Sequence, residues 1–385
     1  MSAFPHLYQG AQPPDSLPAE AHPGLWFERF FNAFERDGNG IAISETRRSD
    51  WLNSFKTAGH PDALTAKALR LIQLAQARGG QWRVYVCAGN FVTGMGNAHP
   101  LENGFAWHHT LGAPYLPGSA VKGLARAVVE TAYAGTDQAD VLRRWFGTAS
   151  KEDVPEQQGQ FIFLDALPVK PCPLRPEVMT PHTGKWQEQG GTRPDSIDAQ
   201  PGDWHSPVPV SYLTARGLAL QFTVLPAPKL AANKAHRQQE FENLWQALEY
   251  GLAEMGAGGK TSTGFGLMTP CKEEQDKLQE KHDEIRLKNE KATLTPNMQQ
   301  VQTYADEMEQ LLAKFPRFKK EQPNGALYQK ARNLAHAAKT DNWRDEEKRS
   351  AAEAIEKWLP KVVRIESIQK ELRKLGIDGF GKSSA

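Results

Sequence analysis

Between residues 81 and 271 the hydrophobic period switches repeatedly, and the order of those switches restricts the fold more than any other feature of the chain. Residues 81–89, QWRVYVCAG, are rich in β-formers and bounded by Gly80 and Gly89, which predicts a strand. Residues 118–134 carry small and apolar residues in a helical pattern, and Phe161-Ile-Phe-Leu-Asp165 predicts a second strand. Residues 218–224, LALQFTV, alternate as a third strand. Phe241, Leu244, Trp245, Leu248, Leu252 and Met255 then recur at the 3–4 spacing of an amphipathic helix. A short strand over 265–268 closes the series. Strand, helix, strand, repeated twice, is the split βαβ plan, so the expected class is α+β with a ferredoxin-like domain.

The rest of the chain reads differently. Residues 1–20 are Pro-rich, and helical patterns run from 26 to 78, clearest over 63–76, where Leu64, Ala68, Leu71, Ile72 and Ala75 share a face. Residues 168–210 hold many Pro, Gly and polar residues and read as a long excursion. From residue 272 on, the chain carries 23 Lys and Arg against 20 Asp and Glu, in helical stretches over 273–293, 298–315, 324–340 and 343–375. Leu294-Thr-Pro296 joins the first two, and Pro316, Pro323 and Pro360 are expected to break the helices. The expected division is an N-terminal helical region over 1–80, a ferredoxin-like domain over 81–271 and a charged helical extension over 272–385.

Composition removes several classes of function. The formal net charge of +1 makes any nucleic-acid face a local feature. Cys87, Cys172 and Cys271 are far apart and form no CxxC, so neither a disulfide framework nor a zinc site is expected, and a reducing compartment suits them. The opening MSAFPHLYQGAQPP lacks the plan of a signal peptide and no run of 18 apolar residues follows, so a soluble, cytoplasmic protein away from the membrane is expected. The segment GAGGKTSTGFGL over 256–267 contains the GGKT of a phosphate-cradling nucleotide loop. That loop needs a glycine where this chain has Glu254, and it must leave a strand and open a helix. Here it leaves a helical pattern, so ATP hydrolysis is not expected and no cofactor is implied.

Pro114-Tyr-Leu-Pro-Gly-Ser-Ala-Val-Lys-Gly-Leu-Ala-Arg126 resembles the PYIPGSSLKGxxR signature of the RAMP superfamily, the RNA-binding proteins of type III CRISPR–Cas systems. Phe146-Gly with 161–168, FIFLDALP, is similar to the FG…F.DA.P stretch of that family. Val178-Met-Thr-Pro-His182 with 207–213, PVPVSYL, is similar to its VMTPH…P.PI.FL pair, and 256–266 to its C-terminal glycine-rich loop. The resemblance covers about residues 85–270. The MTPH element within a single unit is most similar to the sixth-subunit branch of the Cmr, or type III-B, effector complexes. The resemblance implies an RRM-like domain that holds guide RNA (crRNA) near its 3′ end by its backbone, with target RNA nearby. It also implies other Cmr subunits as partners, above all the repeated backbone subunit and the 3′-end capping subunit.

The motif makes physical sense without the family. Ser119 falls at a helix start, where its hydroxyl can cap and free N–H groups can attract an anion. Lys122 and Arg126 are four apart on one helical face, and with Ser119 they form a stripe able to follow phosphates; a capped core helix with solvated cations is the alternative. Gly258 and Gly259 let backbone approach a ligand, and Lys260, Thr261 and Ser262 add a charge and two hydroxyls; a tight connection packed on the sheet is the alternative there. His182, Lys185 and Trp186 mix cation and aromatic and suit contact with bases. For the histidines His99, His108, His109 and His182 structural or binding roles are expected, and Asp165, with no second carboxylate close by, does not suggest a metal site. No catalytic residue is expected; an endoribonuclease using histidine acid–base chemistry is the runner-up. The basic runs 315–320 and 361–374 can face RNA or an acidic neighbour.

Overall fold

Proline opens two of the three N-terminal helices in this computed structural model, which describes residues 16–380 apart from 19–20, 38–39, 134, 149–155, 182, 190–191, 194, 201, 203, 232–233 and 341. Helix α1 (Pro23–Arg29) is capped by His22, whose Nδ1 accepts from Leu25 N at 3.0 Å. A hairpin, β1 (Phe34–Asp37) with β2 (Gly40–Ile43), interrupts the purely helical pattern expected over 26–78. Helix α2 (Glu45–Ser54), the short β3 (Thr57–Ala58) and α3 (Pro61–Arg78) follow, and α3 ends at a left-handed Gly79, where a side chain would be strained.

The split βαβ plan is then laid out. Strand β4 (Gln81–Phe91) leads to α4 (Gly118–Ala132) and α5 (Gln138–Phe146), and β5 (Gly147–Thr148) pairs with β6 (Gln157–Gln158). Three short strands come next: β7 (Phe161–Phe163), β8 (Leu167–Pro168) and β9 (Cys172–Met179). Helix α6 (Gly184–Gln189) precedes the 17-residue strand β10 (Val210–Pro226), followed by α7 (Pro228–Ala231), α8 (Lys234–Tyr250), a π-helical turn (Gly251–Met255) and β11 (Thr269–Pro270). The sheet order is β11-β4-β10-β9-β3, with β7 and β8 also on β10, and every pairing is antiparallel. The α4 crossover passes β10 and the α8 crossover passes β4, which is the ferredoxin-like order.

Three expectations need correction. The excursion over 168–210 contains β9, which pairs with Val210–Ala215 and extends β10 eight residues before its predicted start, across a bulge between Arg216 and Leu218. Residues 265–268 are loop, and the closing strand lies at Thr269–Pro270. Pro360 does not break its helix, because it falls in the last turn.

One core joins the N-terminal helices to the sheet: Trp26, Phe27, Trp51 and Phe55 pack with Phe91, Trp107, Phe222 and Trp245. Each such buried side chain contributes roughly 1.5–3 kcal/mol of transfer free energy. The chain divides into two compact units, Met1–Glu280 and Lys281–Ala385. After the long α9 (Lys272–Thr293), helices α10 (Pro296–Lys314), α11 (Ala326–Ala337), α12 (Asp345–Val362) and α13 (Ile368–Leu375) enclose a second core of Met308, Leu334, Ile355 and Leu359. Among the described residues no helix is long and apolar enough to cross a membrane.

Candidate nucleic-acid interface

The loop over 256–266 is folded back on itself and onto the end of β4. Gly259 N donates to Val92 O at 2.7 Å, Gly266 N to Asn90 O at 2.9 Å, and Ala257 N to Gly266 O at 3.0 Å. A Cβ on Gly266 would stand 1.9 Å from Ala257 O, so the two limbs approach as closely as only glycine permits. Lys260 itself is left-handed at φ 59, and a single 3-10 turn, Thr261–Thr263, follows it. The loop thus leaves a helix and opens no α-helix, which removes the geometry of a nucleotide-binding phosphate loop. Gly258, Ser262, Thr263 and Gly264 form its exposed rim.

Lys260 leans onto the sheet. Its Nζ lies 5.6 Å from the centre of the Tyr212 ring and 4.0 Å from Met179 Sδ. Strand alternation sets Val210, Tyr212 and Thr214 of β10 on one face, opposite Met179, Glu177 and Arg175 of β9, and Arg216 follows two residues on, past the end of that ladder and opposite Asn90 of β4. Arg175 and Arg216 are exposed, and Glu177 Oε1 accepts from Asn90 Nδ2 at 3.0 Å. Burial, and then the Glu177 charge, raise the Tyr212 pKa, so its phenol stays protonated. Three cations beside one hydrogen-bonded carboxylate make this face suited to phosphate. Sequence reasoning missed Arg175 and Arg216, because their common face follows from the strand register.

The PGSAVKG motif behaves differently from its expectation. Pro117 is the N-cap of α4 and offers no side-chain cap; instead Asp165 Oδ1 accepts from Gly118 N at 2.7 Å. The chain's own carboxylate therefore occupies the positive helix end. Ser119 is exposed in the first turn rather than capping it. Lys122, half-buried, donates from Nζ to Phe146 O at 2.8 Å, where the last carbonyls of α5 carry partial negative charge. Arg126 is exposed and pairs with Glu130 at 2.7 Å. The stripe is thus split, with Lys122 turned to α5. Thr93 ties the motif to the glycine loop: its Oγ1 donates to Tyr115 O at 3.0 Å, and a Cβ on Gly258 would lie 3.2 Å from its methyl.

The histidines are placed individually. His99 Nδ1 accepts from Leu101 N, its Nε2 lies 2.8 Å from Phe27 O, its ring stacks on Phe27, and burial lowers its pKa. His108 packs edge-on to Tyr115, and its pKa is lowered first by burial, then by Lys67, while Asp165 opposes the shift. His109 is exposed in the turn beside it. His182 lies outside the described residues. Lys185 and Trp186 sit exposed on α6, in the connection between β9 and β10. Among the described residues no group of three His, Cys, Asp or Glu has an arrangement that could hold a metal.

Residues 86–269, which carry both the glycine loop and the PGSAVKG helix, match the family model of the RAMP superfamily. Over 228 residues the chain is 24% identical to the "CRISPR system Cmr subunit Cmr6" of Pyrococcus furiosus, a match covering 46% of this chain and 63% of that relative, less than two thirds of its length. Among solved structures, a chain of the type III-B Cmr-beta complex bound to cognate target RNA aligns with TM-score 0.43 at 15% identity, over 59% of this chain and 72% of that one. The crystal structure of Cmr6 from Pyrococcus furiosus aligns with TM-score 0.29 at 19% identity, over 50% of this chain and 97% of that one.

Proposed function

We propose that this chain is a non-catalytic, cytoplasmic RNA-binding subunit of a type III-B CRISPR effector, counterpart of the sixth Cmr subunit, acting in antiviral defence. It holds guide RNA near its 3′ end, beside the repeated backbone subunit and the 3′-end capping subunit, while base pairing between guide and target supplies sequence selectivity. The observation that carries this reading is Lys260, set at the lip of the glycine loop over Tyr212, on the sheet face that also bears Arg175 and Arg216. Gly258, Gly259, Thr261 and Ser262 offer close backbone and hydroxyls to phosphate, and Ser119 offers a further hydroxyl from the first turn of α4. Lys122 acts by fixing α4 to α5, and Trp186 with Lys185 reaches bases or a neighbour. Such contacts are to phosphate, so affinity should fall steeply with salt and ignore sequence. The test is fluorescence anisotropy with two unrelated single-stranded RNAs. Equal loss of affinity for both on changing Lys260, Arg175 and Arg216 to Ala supports the proposal; unchanged affinity ends it.

The second reading, a metal-independent endoribonuclease, draws on His108, whose ring meets Tyr115 close to the Asp165 charge. Incubation with repeat RNA in the presence of a chelator separates the two: cleavage abolished by His108→Ala would select it.

A further inference from the structure

The helical unit carries a cationic surface that its sequence scatters over fifty residues. The last residue of α10 and the segment after it supply Lys314, Arg317, Lys319 and Lys320, and the end of α12 with the residues just past it supplies Lys357, Lys361 and Arg364. Backbone pairing brings the two together. Glu321 N donates to Val362 O at 2.9 Å and Arg364 N to Glu321 O at 2.8 Å, as a parallel bridge between Glu321 and Val363. All seven side chains are exposed, and among the described residues none has a carboxylate partner. The acidic groups alongside are engaged elsewhere: Glu321 Oε2 accepts from Leu327 N, Glu356 from Gln369, and Glu366 from Lys370.

Aromatic rings are interleaved with these cations. Lys357 and Lys361 lie 4.8 and 4.5 Å from the Trp358 ring, which pins two ammonium groups one turn apart above a mostly buried indole. Phe315 is 50% exposed, with Lys314 Nζ at 5.8 Å from its ring. Seven like charges held close together repel one another and raise the local potential, and a polyanion relieves that repulsion. An exposed ring among cations is what an unstacked base uses. We infer that this end of the helical unit, where residues 314–320 run beside 357–364, binds the backbone of single-stranded RNA, with Phe315 as a stacking platform. The inference is independent of the RAMP-domain reading, because no residue is shared.

The experiment uses the full chain and a fluorescein-labelled single-stranded RNA of mixed sequence, titrated across a salt series. In a variant combining Lys319→Gln, Lys320→Gln, Lys357→Gln and Lys361→Gln, the slope of log K against log salt should shrink by about 3 units, and affinity at low salt should drop about 10-fold or more. Phe315→Ala should weaken binding with no change of slope. Circular dichroism must show the helices intact, and since the changed side chains are exposed, it should. Lys260→Ala is measured in parallel; a slope change for the helical-unit variant alone supports this surface whatever becomes of the RAMP-domain site. Unchanged affinity and slope in the quadruple variant overturn the inference, as does a wild-type chain that binds no RNA at low salt. Unchanged RNA binding together with loss of a purified partner subunit overturns it in favour of an acidic protein.

Discussion

Lys260 Nζ stands 5.6 Å from the centre of the Tyr212 ring, so the cation of the glycine loop is held by the sheet rather than left to wander in solvent. This contact fixes where the loop presents its charge. Lys260→Ala should lower RNA affinity about 3- to 10-fold and reduce the salt slope by about 1. Tyr212→Phe keeps the ring and should leave binding unchanged, whereas Tyr212→Leu should cost about 0.5–1 kcal/mol of positioning. Anisotropy titrations at several salt concentrations read all three.

Lys122 belongs to a different category. Its ammonium is spent on Phe146 O, so Lys122→Met should destabilise the chain by about 1–2 kcal/mol while leaving the salt slope of RNA binding alone. Arg126→Ala, which removes an exposed pair with Glu130, should cost at most about 1 kcal/mol. Urea unfolding with parallel RNA titration separates anchoring from contact.

Two glycines of one loop should respond unequally. Gly266→Ala places a Cβ 1.9 Å from Ala257 O at φ 72 and should cost about 3 kcal/mol or more. Gly264→Ala, at φ 86 with open space around it, should cost only about 1–2 kcal/mol of backbone strain. Thermal unfolding of both variants checks the ranking; equal losses would refute the close-approach argument.

Glu347 ties two helix starts of the second unit, accepting from Asn297 Nδ2, Thr295 Oγ1 and Arg344 N. These hydrogen bonds, Asn297 first, depress its pKa to about 2. The charged form is therefore favoured in the folded state. Its stabilisation is complete above the ordinary carboxylate range, about 4.3, and is lost as pH falls toward about 2. Helical unfolding of the wild type should shift to lower temperature across that window, and Glu347→Gln should flatten the shift.

Much of the fold was legible because β4, α4, β7 and α8 each carry an uninterrupted period. Strand β9 was not, since Pro173 and Pro176 in CPLRPEVM argue against a strand; the sheet accepts them because the β10 ladder ends at Leu174, before Pro173, and Pro176 lies past the end of β3. Arg175 and Arg216 became visible only once β9 paired with β10, because their shared face is a property of register. The role of Lys122 was hidden for a similar reason: its partner carbonyl lies 24 residues on, at the far end of another helix. The glycines of 256–266 announced a loop, but not that it folds onto its own backbone.

Strand β10 runs as one beam from Val210 to Pro226, with β4 along one edge and β9, β8 and β7 in succession along the other. A one-residue slip would swing Tyr212 and Arg216 to the opposite side and, in the same stroke, tear Phe222 and Val224 out of the interior. The orientation of the cationic face is thereby guaranteed by the most deeply buried part of the molecule, and any accommodation to a ligand falls to the loops that border it.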